Sequence, residues 1–141
     1  MTEATLNTQD SEITRNYIIH LLDQLVVDYQ NTKQERKEIA DKFPSSDEEF
    51  TVLEEIELLT ADIRGYASQI KARGWIENEQ EATRRLQAMR VFDIPALAQF
   101  YFGTDGDYWR MKAYVRMLDY LRLLILEYLR SLNRSQQESG Q

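Results

Sequence analysis

The sequence predicts an all-α protein, a single-domain bundle of about five helices with a central, nearly all-apolar C-terminal helix. Three observations predict it. Five glycines and two prolines in 141 residues leave room for long helices with few breaks. Apolar residues recur at spacings of three and four along most of the chain, and no alternating run signals a strand. Residues 107–134 are apolar around most of a helical circumference, as a helix in the middle of a bundle must be. The length suits one domain able to bury about two-thirds of its unfolded surface. Residues 10–134 are assigned to the bundle, and the polar segments 1–9 and 135–141 to flexible tails.

The first helix is expected over residues 10–42. Ile18, Leu22, Leu25, Tyr29, Thr32, Arg36, Ile39 and Phe43 form a heptad-like seam. Thr32 and Arg36 interrupt it, so the helix is expected to leave the core there or to meet a polar partner. A bundle helix and an intermolecular coiled coil both fit this seam. Phe43-Pro44-Ser45-Ser46 ends the helix, because proline disfavours helical geometry in the residue before it. Ser46 and Glu49 then form a capping box for the second helix. Leu53, Ile56, Leu59, Ile63, Tyr66 and Ile70 mark its buried stripe, and Gly74 can take the left-handed position that ends it, with Trp75 folding back on Ile70. A third helix is expected from an Asn78 cap to about Val91, and a short fourth over 95–102 between Pro95 and Gly103. Asp107 caps the last helix, whose polar residues Lys112, Arg116, Asp119, Glu127 and Arg130 share one sector. If that helix is central, Leu124→Ala should cost about 2–5 kcal/mol.

Composition narrows the function. The absence of cysteine excludes a disulfide framework, a thiolate metal site and a cysteine nucleophile. Residues 120–129, the most apolar stretch, carry Arg122 and Glu127 and fall short of the roughly 20 apolar residues a bilayer requires. With no signal-peptide pattern at residues 1–10, the chain is expected to be soluble and cytoplasmic, without a membrane partner. The net charge of −7 is uneven: residues 1–63 balance at −10 and residues 64–141 at +3. Were the halves on different sides of the fold, the molecule would be strongly dipolar.

Candidate chemistry is sparse. His20 is the single histidine, and no nucleophile marks itself as its partner. Glu35-x-x-Glu38 followed by Glu54-x-x-Glu57 is similar to the paired carboxylates of magnesium-dependent all-α nucleotide pyrophosphohydrolases, although Glu57 stands where those enzymes usually carry aspartate. Spacing of three puts each pair on one helix face, where carboxylate oxygens and water could hold Mg²⁺. Asp105-Gly106-Asp107 lacks the ligand ladder of a calcium loop, and no phosphate-binding glycine loop occurs.

A basic set offers a different chemistry. Arg64, Lys71, Arg73, Arg84, Arg85 and Arg90 crowd the middle of the chain, and Arg110, Lys112 and Arg116 open the last helix. Cations neutralise phosphates without reading sequence, and aromatic side chains stack on unpaired bases. Trp75, Tyr101, Tyr108 and Trp109 are the aromatic candidates for a partner interface. The expected function is a non-enzymatic interaction or assembly subunit that binds a protein partner or copies of itself and carries no cofactor. The alternatives are a ribonucleoprotein subunit contacting single-stranded nucleic acid within a larger complex, and the pyrophosphohydrolase. In length and helicity the chain resembles the small helical subunit of CRISPR effector complexes, a likeness of architecture that assigns no residue a role.

Overall fold

The computed structural model describes residues 2–42, 52–89 and 108–139. Among them the chain forms five helices and no strand: α1 (Thr2–Asn31), α2 (Lys33–Lys42), α3 (Val52–Arg73), α4 (Glu79–Ala88) and α5 (Trp109–Ser139). The expected break at 43–46, the capping box, the short helix at 95–102, the Asp107 cap, Arg90 and Tyr101 lie outside the described residues.

The core forms where the heptad-like and 3.6-residue stripes meet. Ile18, Leu22 and Leu25 of α1, Ile56, Ile63 and Ile70 of α3, and Met111, Leu118, Leu121, Ile125 and Leu129 of α5 are buried together. The seam of α1 is therefore consumed inside the bundle. Cross-contacts set the helix directions. Arg15 of α1 bonds to the end of α3, and Tyr128 of α5 bonds to the same corner at Gly74. At the other end Tyr29 of α1 packs on Tyr114 of α5, and Tyr114 bonds Thr60 in α3. Thus α1 runs antiparallel to both α3 and α5, which run parallel to each other. Helix α5 touches each of the other four, as its largely apolar surface requires.

Several boundaries differ from expectation. Helix α1 begins at Thr2, ahead of residue 10, because no glycine or proline stops it earlier; α5 likewise continues to Ser139. The long first helix is divided at Thr32. The Thr32 amide is shared between the Asp28 and Tyr29 carbonyls, 3.2 Å from each, and its hydroxyl donates back to the Tyr29 carbonyl at 2.7 Å. Such back-bonding competes with the helical ladder and breaks it locally. Thr32 does not leave the core; it is fully buried.

Gly74 ends α3 as expected, with φ +82° and its amide donating to the Ile70 carbonyl at 2.9 Å. Trp75 does not fold back on Ile70. It is half exposed with the Arg73 guanidinium 3.9 Å over its ring, and Ile76 enters the core instead. Asn78 precedes α4, but in a left-handed conformation (φ 55°) in which its side chain makes no cap bond. Asparagine tolerates this backbone. Helix α4 stops at Ala88, where Met89 turns extended. Leu124 is only partly buried, whereas Met111, Tyr114, Val115, Leu118, Leu121, Ile125 and Leu129 of α5 are fully enclosed. No helix among the described residues is long and apolar enough to cross a membrane.

Candidate functional site

Helix ends are where polar side chains of this bundle are spent. The last carbonyls of a helix have no partner within it. Those of Ile70 and Lys71 in α3 receive Arg15 Nε and Nη2 from α1 at 3.0 and 3.1 Å, and Tyr128 donates to the Gly74 carbonyl at 2.6 Å. Near the end of α4, the Leu86 carbonyl accepts Arg122 Nη1 at 3.0 Å. Arg122 is buried beside Asp119, 3.1 Å away. At the opposite pole, the Glu35 carboxylate accepts the Met111 amide in the first turn of α5 at 3.3 Å. Tyr108, just before that helix, has φ 58°, and Arg110 lies 3.6 Å from the second Glu35 oxygen.

These contacts decide what the predicted residues do. Glu35 is 7% exposed and turned toward α5. Glu38 is on the surface, bonded by Gln34, and Glu57 accepts the Tyr29 hydroxyl at 3.2 Å. Glu54 is half-buried in the first turn of α3. Among the described residues no three carboxylates or histidines converge on a point that could hold a metal ion. His20 is exposed on α1.

Several of the predicted basic residues are engaged within the bundle. Lys71 pairs with Asp23 at 3.4 Å, Arg85 with Asp62 at 3.1 Å and Arg110 with Glu35. Arg73 donates to Gln69 at 2.7 Å. Lys112 is half-buried, whereas Arg64, Arg84 and Arg116 are exposed. Of the aromatic candidates, Tyr108 is half-buried. Trp109 is 59% exposed, with the Arg110 guanidinium 4.5 Å from its ring.

Two surfaces remain distinctive. One is the outer face of α3. Leu58, Ala61, Gly65, Ser68 and Ala72 are all exposed, spaced three, four, three and four apart. At 3.6 residues per turn they fall within about 80° of arc, opposite the buried Ile56, Ile63 and Ile70. Leu58 is 56% exposed, and a Cβ on Gly65 would meet nothing within 4 Å.

The other is a cleft of about 790 Å³ where α1 meets α2 beside α3, lined by Gln30, Asn31, Lys33, Gln34, Arg36, Lys37, Ala40, Leu53 and Glu57. A polar knot fixes one of its lining residues, Arg36. Arg36 Nε donates to Thr32 Oγ1 at 3.0 Å, its Nη2 donates to the Tyr29 carbonyl at 3.1 Å, and its guanidinium lies 3.9 Å over the Tyr29 ring. That ring packs 5.4 Å from Tyr114, whose hydroxyl shares a 2.9 Å hydrogen bond with Thr60. Burial pushes the Tyr114 hydroxyl up to about 12, opposed by the Thr60 bond. Burial also raises Tyr29, with Arg36 opposing and the Glu57 carboxylate adding to the rise. Lys33, Arg36 and Lys37 carry the positive charge of the cleft wall. Their i, i+3, i+4 spacing was the signal that they share a face.

No family model, curated protein or solved structure matches the chain.

Proposed function

We propose that the protein is a non-enzymatic interaction subunit whose outer α3 face receives a helix of a partner protein. The observation that carries this reading is the exposed stripe Leu58, Ala61, Gly65, Ser68 and Ala72. Its spacing is that of a helix-pairing seam, and it lies opposite the face already committed to the core. Small side chains along it allow a second helix to approach closely. An exposed glycine inside a helix costs about 0.5–1 kcal/mol relative to alanine, and among the described residues no neighbouring side chain requires Gly65. The scattering of Glu35, Glu38 and Glu57 supports a binding role over the pyrophosphohydrolase, since Glu35 serves α5. The ribonucleoprotein reading draws less support from the predicted cations, because Lys71, Arg85 and Arg110 lie in ion pairs.

Two substitutions at one position test the proposal. Gly65→Ala should stabilise the isolated protein by about 0.5–1 kcal/mol, because the site is open and helical. Gly65→Leu should fold equally well but obstruct the seam. Tagged wild-type chain purified from its own cells should bring down a partner in stoichiometric amount, and Gly65→Leu should lose it. A partner retained by Gly65→Leu in full would overturn the assignment of this face. Light scattering on the same samples separates a foreign partner from a second copy of the chain.

A further inference from the structure

We propose that the cleft between α2 and α3 binds the phosphate group of a nucleotide-sized phosphate ester through Lys33, Arg36 and Lys37. The inference does not depend on the outer face of α3, which lies on a different surface of that helix. Three features carry it. First, the cleft is about 790 Å³, within the size range of sites for small organic ligands. Its wall is partly apolar, from Ala40 and Leu53, and partly amide, from Gln30, Asn31 and Gln34.

Second, its charge runs against that of the molecule. In a chain of net charge −7, three cations occupy one face of α2, where like charges at i and i+4 repel. The carboxylates nearest in sequence do not relieve them. Glu35 points to α5 and Glu38 is bonded by Gln34. Among the described residues no carboxylate forms an ion pair with Lys33, Arg36 or Lys37. Among the described residues Glu57 is the one carboxylate lining the cleft, and it is held by the Tyr29 hydroxyl.

Third, Arg36 is held in place without a ligand. Two hydrogen bonds and the Tyr29 ring fix its guanidinium. A guanidinium has five N–H donors in a planar fork, and among the described residues two of them are occupied. The remainder belong to a residue that lines the cleft. A fixed fork with unused donors, flanked by two exposed lysines, suits a tetrahedral dianion better than a carboxylate or a neutral ligand.

The phosphate could be that of a free nucleotide or of a nucleic-acid strand. Calorimetric titration of the full chain with inorganic phosphate, a nucleoside triphosphate and a single-stranded RNA oligonucleotide distinguishes them. We expect saturable binding that weakens as salt rises. Lys33→Glu/Lys37→Glu should weaken it about tenfold or more, and Glu57→Gln should strengthen it. Tighter binding of the triphosphate assigns the site to a free ligand, and tighter binding of the oligonucleotide assigns it to a strand. Lys33→Gln/Lys37→Gln, with a smaller charge change, guards against misfolding of the double glutamate variant. Arg84→Glu/Arg130→Glu removes two exposed cations, on α4 and in the second half of α5, and should leave affinity unchanged. Failure of all three probes to bind at millimolar concentration in low salt would overturn the proposal. So would equal weakening by the Arg84/Arg130 control, which would reduce the effect to net charge.

Discussion

Glu35 shows how geometry commits one side chain to the end of a distant helix. Its carboxylate reaches from α2 to the first turn of α5, where a negative charge meets the positive end of the helix dipole. Glu35→Ala leaves the buried Met111 amide without this acceptor, a loss of about 1–3 kcal/mol. Glu35→Gln keeps a carbonyl acceptor and should lose less. Urea denaturation of the two variants checks the order, and an alanine variant as stable as wild type would contradict the cap. Tyr114 makes a second prediction. Its folded pKa of about 12 lies above the ordinary 10.0, so the folded state keeps a proton that the unfolded chain releases. The stability from this neutral, buried hydroxyl is fully present below pH 10. It is lost as pH rises through about 12. Burial raises Tyr29 and Tyr128 in the same direction. Melting temperature should fall more steeply above pH 10 in wild type than in Tyr114→Phe; parallel slopes would count against the assignment.

Among the elements, α5 bears most of the packing, but not evenly. Its stripe Met111, Leu118, Leu121, Ile125 and Leu129 is fully enclosed, whereas Leu124 sits at the margin. The large cavity cost therefore moves three residues along. Leu121→Ala should cost about 2–5 kcal/mol, and Leu124→Ala distinctly less. Chemical denaturation of both tests this, and equal costs would show that the margin is as tightly packed as the centre. The broad apolar character of α5 was legible in the sequence. Which of its leucines lie deepest was not, because four helices cover it from different sides. Helix α3 was legible in both its buried stripe and its glycine stop. Its outer seam was harder to see, because Ala61, Gly65, Ser68 and Ala72 are too small to register as a hydrophobic pattern.

For the whole molecule, antiparallel packing of α1 against α3 and α5 interleaves the acidic first half with the basic second half. Lys71–Asp23, Arg85–Asp62 and Arg110–Glu35 each join a carboxylate from residues 1–63 to a cation from residues 64–141. The charge imbalance read from sequence is thus partly neutralised across the bundle. Because α5 contacts every other helix, the described bundle should unfold as one cooperative unit. Trp75 follows Gly74 at the corner shared with Arg15 and Tyr128, and Trp109 lies at the opposite pole beside Arg110, which pairs with Glu35. Fluorescence of Trp75→Phe and Trp109→Phe variants, each normalised to its own helical circular dichroism, should give coincident urea midpoints. Trp signal lost well before helical signal in either variant would show that one pole opens alone.

What the sequence determined by itself is the all-helical class, the stripes of α1, α3 and α5, and the stop at Gly74, all products of local periodicity and backbone preference. Tertiary structure alone decided how the polar residues are used. Arg15, Arg122, Tyr128 and Glu35 serve the ends of helices remote in the chain. Lys33, Arg36 and Lys37, by contrast, open onto a cleft. The physical reason is that a helix end advertises unsatisfied backbone groups but not the residue that will reach them. That partner is selected only when packing brings a side chain 36 to 76 positions away within hydrogen-bonding distance.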